Sequence, residues 1–194
     1  MTALTAANQL TLLRMLLIPV LALLVLYDRM GWALIVLVLA TLTDAFDGLL
    51  ARRAGQLTTL GAWLDPVADK LLIATMFVLL TLPLPQLVQR VPLWLTVLVM
   101  SRDIGIVVTV AIVNLAVGRR TFPPSIFGKA ATATFMMTAV LTLWANYINQ
   151  PMLLVDICAW VSVALTVISA LHYAAYITGL SSSRGTADQA GPSA

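Results

Sequence analysis

Between positions 10 and 180 the sequence alternates between apolar runs about twenty residues long and short breaks carrying charge, glycine or proline. This alternation narrows the possible folds more than any other feature. About twenty residues at ~1.5 Å rise are what an α-helix needs to cross a ~30 Å hydrocarbon layer. Inside lipid, every backbone N–H and C=O must be satisfied within the segment itself, which favours helices. Six runs can be placed, at 10–27, 32–51, 60–82, 91–117, 125–147 and 151–180. The breaks include Asp28-Arg29-Met30-Gly31, a proline-spaced loop ending at Arg90, and Gly118-Arg119-Arg120-Thr121-Phe122-Pro123-Pro124. Composition agrees: 61% of residues are hydrophobic, 10% are charged and the mean hydropathy is +0.99. A soluble domain carries about 25% charged residues. The expected fold is an all-α integral membrane protein, a six-transmembrane-helix bundle preceded by a short N-terminal juxtamembrane helix over residues 1–9. Residues 1–180 form one domain in this reading, and 181–194, rich in Ser, Gly and Ala, form a disordered cytoplasmic tail.

Composition also removes several function classes. The single cysteine, Cys158, and the single histidine, His172, rule out a disulfide framework and a thiol-based or histidine-rich metal site. The net charge of +3 suits anionic lipid headgroups rather than nucleic acid. The first apolar run lacks a basic start and leads straight into the fold, so no cleavable signal is expected. Six spans put both termini on one side, together with Arg14, Arg52, Arg53, Arg119, Arg120, Lys129 and Arg184. Only Arg29 and Arg90 fall in the opposite loops, so the termini and the basic connections are expected to be cytoplasmic.

Against that background residues 44–69 stand out. Asp44, Asp47, Gly48 and Ala51 follow i, i+3, i+4, i+7 spacing and share one helix face. Gly61, Asp65 and Asp69, spaced by fours, share a face of the next run. Both aspartate pairs fall roughly 6–15 Å below the cytoplasmic end of a helical hairpin. A carboxylate near mid-span costs at least ~2.5–3.5 kcal/mol unless it is neutralised or faces water. Four together also repel one another, and hard divalent cations relieve both problems. Two carboxylate-bridged metals are a recurring arrangement in phosphoryl chemistry. Gly48, Ala51 and Gly61 leave room for a substrate beside the backbone, and the guanidinium fork of Arg52 suits a phosphate. Charge pairing of the aspartates with Arg52, Arg53 and Lys70 is the plain structural alternative, and it leaves the small residues unexplained.

The pattern Asp44-x2-Asp47-Gly48-x2-Ala51-Arg52-x8-Gly61-x3-Asp65-x3-Asp69 resembles the signature of the CDP-alcohol phosphotransferase family at all eight defining positions. That resemblance implies transfer of a substituted phosphate from a CDP-linked donor to an alcohol, with release of CMP. It implies that Asp44, Asp47, Asp65 and Asp69 bind two divalent metal ions, Mg²⁺ or Mn²⁺, and that Asp69 is the general base. It places Gly48, Ala51, Arg52 and Gly61 in the CDP site beside Asp44, Asp47 and Asp65. Leu64-Asp65-Pro66-Val67-Ala68-Asp69-Lys70, Ser101-Arg102-Asp103 and Asn8-x2-Thr11-x2-Arg14 resemble the phosphatidylglycerophosphate synthase and cardiolipin synthase branch. The implied partners are CDP-diacylglycerol, a glycerol 3-phosphate or phosphatidylglycerol acceptor, membrane lipids and a second copy in a homodimer.

Glycerol 3-phosphate is the expected acceptor, with phosphatidylglycerol as the alternative, because Asp103-Ile-Gly-Ile-Val-Val leans toward cardiolipin synthases of mitochondrial type. Either acceptor carries a phosphate. Arg102, Lys129, Lys70 and Arg14 are the candidate residues for it, Arg102 having a structural ion pair with an aspartate as its alternative. A cation transporter is the reading from another class, and the absence of any repeat between the two halves speaks against it. His172 reads as a hydrogen-bonded bundle residue, Asp156 as a cap or pairing partner, and Trp32, Trp94, Trp144 and Tyr147 as interfacial anchors. Met136 and Met137 read as packing.

Overall fold

Each apolar run forms a helix. The computed structural model describes the backbone of residues 6–54, 59–117 and 126–188, and side chains over 11–43, 67–108 and 126–171 together with Gln9 and Leu115. Among these residues there are six helices and no strand: α1 (Ala6–Leu26), α2 (Met30–Ala54), α3 (Thr59–Thr81), α4 (Leu93–Val117), α5 (Ile126–Tyr147) and α6 (Leu153–Asp188). Two boundaries differ from expectation. Residues 6–9 belong to α1 itself and not to a separate juxtamembrane helix, because no glycine or proline stands before Pro19 to break the backbone. The last helix continues past residue 180 to Asp188, through a stretch free of proline that was expected to begin a disordered tail. Residues 1–5 and 189–194 lie outside the described part.

Two helices end in the same way. Asp28 and Asn149 have positive φ values of 58° and 55°. After α1, the Arg29 N–H reaches the Leu24 carbonyl at 2.8 Å and the Asp28 N–H reaches Val25 at 3.2 Å. After α5, Gln150 reaches Ala145 at 3.0 Å and Asn149 reaches Asn146 at 3.3 Å. Both are Schellman caps with a short acid or amide in the left-handed position. The nearby glycine of the first turn serves another purpose. A Cβ on Gly31 would lie 2.8 Å from Tyr147 Cε2, so Gly31 permits the close approach of α2 to the end of α5.

α1 packs against both α2 and α3, α5 packs against α2, α3 and α6, and α4 packs against α3 and α6. The core runs through Leu21, Leu37, Met76, Phe77, Leu95, Phe135 and Leu143, with Phe77 and Phe135 edge to face at 5.9 Å. Four buried hydroxyls are satisfied within their own helix: Thr138, Thr142, Ser162 and Thr166 each donate to the carbonyl four residues earlier at 2.7–2.8 Å. The perimeter is apolar as well. Leu16, Leu39, Val78, Ile104, Ile126 and Trp160, one from each helix, are all exposed. A helix that is apolar all round belongs in a large core or in lipid. Among the described residues, Ile126–Tyr147 and Leu153–Leu171 are long and apolar enough to cross a membrane, and Thr11–Leu26 and Met30–Thr43 are shorter apolar stretches. Met136 packs against the core, but Met137 is 53% exposed, since consecutive helical residues point about 100° apart.

Candidate active site

The four aspartates occupy matching backbone positions on two helices. Asp44 and Asp47 stand ten and seven residues before the end of α2, and Asp65 and Asp69 stand six and ten residues after the start of α3. α3 continues through Pro66 without a break. The side chains of Asp44, Asp47, Gly48, Ala51, Arg52, Gly61 and Asp65 lie outside the described set, and Asp69 is half-buried. Among the described residues no three aspartate, cysteine or histidine side chains come together. α1, like α5, touches both aspartate-bearing helices, and its Thr11 and Arg14, one turn apart, are only 2% and 3% exposed. Arg14 therefore brings a buried positive charge to the same part of the bundle.

Beside Asp69 lies an ionic network that joins three helices. Lys70 Nζ on α3 is 2.9 Å from Asp103 Oδ2 on α4. The other carboxylate oxygen, Oδ1, accepts from Arg102 Nη1 at 3.1 Å. Arg102 then reaches α5: Nη2 donates to the Gly128 carbonyl at 2.9 Å and Nη1 to Thr132 Oγ1 at 3.3 Å. Its guanidinium carbon lies 5.7 Å from the centroid of the Phe135 ring, the same ring that packs on Phe77. Two cations share one carboxylate here, so the cluster is net positive apart from Asp69. Arg102 thus has the ion pair with an aspartate that was its alternative reading. Lys129, one turn into α5, is exposed.

Asp103 is the residue to which the sequence reading gave no role. The signal was present: a single acid in an apolar run, next to an arginine. Its partner on α3 is 33 positions away, so local pattern could not supply it. Asp156, in the first turn of α6, sits where a negative charge favours the helix dipole. Trp32, Trp94, Trp144 and Tyr147 are all exposed. Cys158 is a free, half-buried thiol, and the His172 side chain lies outside the described set. A cavity of about 720 Å³ opens at the other end of the bundle, lined by Asp28, Arg29, Gln86, Trp144 and Tyr147 among others.

A family model described as CDP-alcohol phosphatidyltransferase matches residues 4–168. The chain belongs to the CDP-alcohol phosphatidyltransferase family. Family membership makes it a membrane-bound transferase and removes the ion-transport alternative. The chain is 34% identical to the probable phosphatidylglycerophosphate synthase of Mycobacterium tuberculosis, over 87% of this chain and 79% of that protein. It is 38% identical to the CDP-diacylglycerol–glycerol-3-phosphate 3-phosphatidyltransferase of Escherichia coli, over 70% of this chain and 87% of that one. It is also 40% identical to the CMP-forming cardiolipin synthase of Streptomyces coelicolor, over 60% of this chain and 51% of that protein.

Proposed function

We propose that this phosphatidyltransferase moves the phosphatidyl group of CDP-diacylglycerol onto a hydroxyl of glycerol 3-phosphate and releases CMP. The observation that carries the choice of acceptor is the extent of each match. The relatives named for phosphatidylglycerophosphate synthesis or for glycerol 3-phosphate are matched over 79% and 87% of their own length. The cardiolipin synthase is matched over 51% of its length. A match over more than three quarters of each relative in the first group supports glycerol 3-phosphate. The second reading, phosphatidylglycerol as acceptor, draws on the 40% identity to the Streptomyces protein and on the segment after Asp103.

In this reading Asp44, Asp47, Asp65 and Asp69 hold two divalent cations, Mg²⁺ or Mn²⁺. The donor set fits: four carboxylates on two helices offer only hard oxygens, at matching distances from the adjoining helix ends. When bound, such ions screen the charge of the donor pyrophosphate and of the departing CMP. Asp69 accepts the proton of the acceptor hydroxyl as its oxygen bonds to the phosphatidyl phosphorus and the bond from that phosphorus to the CMP oxygen breaks. Gly48, Ala51 and Gly61 let the nucleotide approach the backbone, beside Asp44, Asp47 and Asp65, and Arg52 pairs with its phosphates. Lys70, Lys129, Arg14 and Arg102 form the positive surroundings of the acceptor phosphate, Lys70 and Lys129 being the more exposed.

The six helices cross the cytoplasmic membrane as one domain, with both termini and the site on the cytoplasmic side, in a homodimer. The positive-inside charge distribution and the apolar perimeter support this arrangement. The decisive experiment offers purified protein CDP-diacylglycerol and Mg²⁺ or Mn²⁺ with each acceptor separately and measures CMP. Glycerol 3-phosphate is expected to release it. Release with phosphatidylglycerol alone overturns the acceptor assignment.

A further inference from the structure

Arg102 and Lys70 share Asp103 but are held very differently. Arg102 is 15% exposed, and its two terminal nitrogens already serve Asp103, Thr132 and the Gly128 carbonyl. The face of its guanidinium rests over Phe135. It is fixed to α5 and has little freedom to follow a ligand. Lys70 is 39% exposed, and among the described residues its ammonium pairs with Asp103. It sits on a flexible four-carbon stem and directly follows Asp69 in the chain. Asp103, 18% exposed, stands between the fixed cation and the adaptable one.

We propose that Asp103 is a positioning residue for Lys70: braced by Arg102, it holds the Lys70 ammonium, one residue along α3 from Asp69, where that ammonium meets the phosphate of the acceptor. The inference deepens the reading of the site given above and rests on it. It assigns the roles within the cluster. Arg102 transmits the position of α5 to the Asp103 carboxylate, the carboxylate aims Lys70, and Lys70 alone exchanges contacts with substrate. Without Asp103 the lysine keeps its charge and loses its aim, while Arg102 keeps its bonds to α5. The loss therefore falls on the acceptor and spares the donor nucleotide, whose residues lie on α2 and the start of α3.

The test is a cycle of Asp103→Asn, Lys70→Met and the double variant, assayed for CMP release while acceptor and CDP-diacylglycerol are varied independently. The acceptor is whichever phosphate-bearing one the parent enzyme uses, so a wrong choice between glycerol 3-phosphate and phosphatidylglycerol shows in the parent and leaves the cycle readable. Asp103→Asn is expected to raise KM for the acceptor on the order of tenfold, the cost of one charge-assisted hydrogen bond, with KM for CDP-diacylglycerol unmoved. In the Lys70→Met background the same change is expected to add nothing further, because its effect runs through Lys70. Equal rises in both KM values, or effects of the two substitutions that multiply, overturn the proposal. If Asp103→Asn does not accumulate folded, Lys70→Met alone still decides: an unchanged acceptor KM overturns it, and a selective rise supports it.

Discussion

At the Asp28 end of the bundle, beside the charged Asp28 and Arg29, three amides have bonding capacity that is almost wholly used. Asn146 is 6% exposed; its Oδ1 accepts from the N–H groups of Val88 and Gln89 at 2.7 and 3.0 Å, and its Nδ2 donates to the Gln89 and Thr142 carbonyls at 2.8 and 2.7 Å. Gln89 Oε1 in turn accepts from the Met152 N–H at 3.2 Å, and Gln86 Nε2 donates to the carbonyls of Val25 and Leu26 at 3.4 and 3.2 Å. Loop, helix ends and the α5–α6 turn are tied into one piece. At the Asp69 end Lys70, Arg102 and Asp103 are charged and partly exposed, two cations to one carboxylate, with the Lys70 ammonium on a flexible stem. Amides so saturated have little left to offer a ligand and serve to hold the frame. An end with surplus charge holds less and can bind.

Three substitutions probe that contrast. The largest effect is expected from Asp69→Asn, which removes the proposed base: CMP release falls at least ~100-fold while helical content by circular dichroism stays as in the parent. Normal turnover in this variant removes Asp69 from the role. Next comes Asn146→Ala, which takes the partner from two N–H groups and a carbonyl in a part-buried place. A loss of about 2–3 kcal/mol is expected, seen as earlier thermal unfolding in detergent, with both KM values unmoved. If activity falls and stability does not, the two ends are not separable in function. Gln86→Ala should be the mildest, about 1 kcal/mol, because its two bonds to the end of α1 are long and one is exposed. A larger loss there than at Asn146 would reverse the ranking within the amide web.

Much of this was readable from sequence, for identifiable reasons. Helix limits follow the breaks because glycine, proline and charge are expensive inside an apolar run, and the aspartate positions follow from helical spacing alone. What sequence could not supply was pairing across helices. Nothing in the local pattern links Asn146 to a loop nearly sixty positions earlier, or Lys70 to Asp103, since packing of α3, α4 and α5 decides both. The turn Asp28-Arg29-Met30-Gly31 was expected as a break, yet the left-handed residue is Asp28, because close contact with Tyr147 claims the glycine. α6 runs past residue 180 to Asp188 although that stretch holds three serines and Gly185, so composition did not mark the end of the helix.

Gly31 has a consequence for anyone wishing to make this protein hardier. Replacing a turn glycine by alanine is a standard first step, because it restricts the unfolded chain at little cost to the folded one. Here the added methyl would land 2.8 Å from a carbon of the Tyr147 ring, so the ring would have to turn aside and give up its close contact with α2. The opportunity lies three positions earlier, at Asp28, whose backbone already has the φ of 58° that glycine adopts freely and other residues resist.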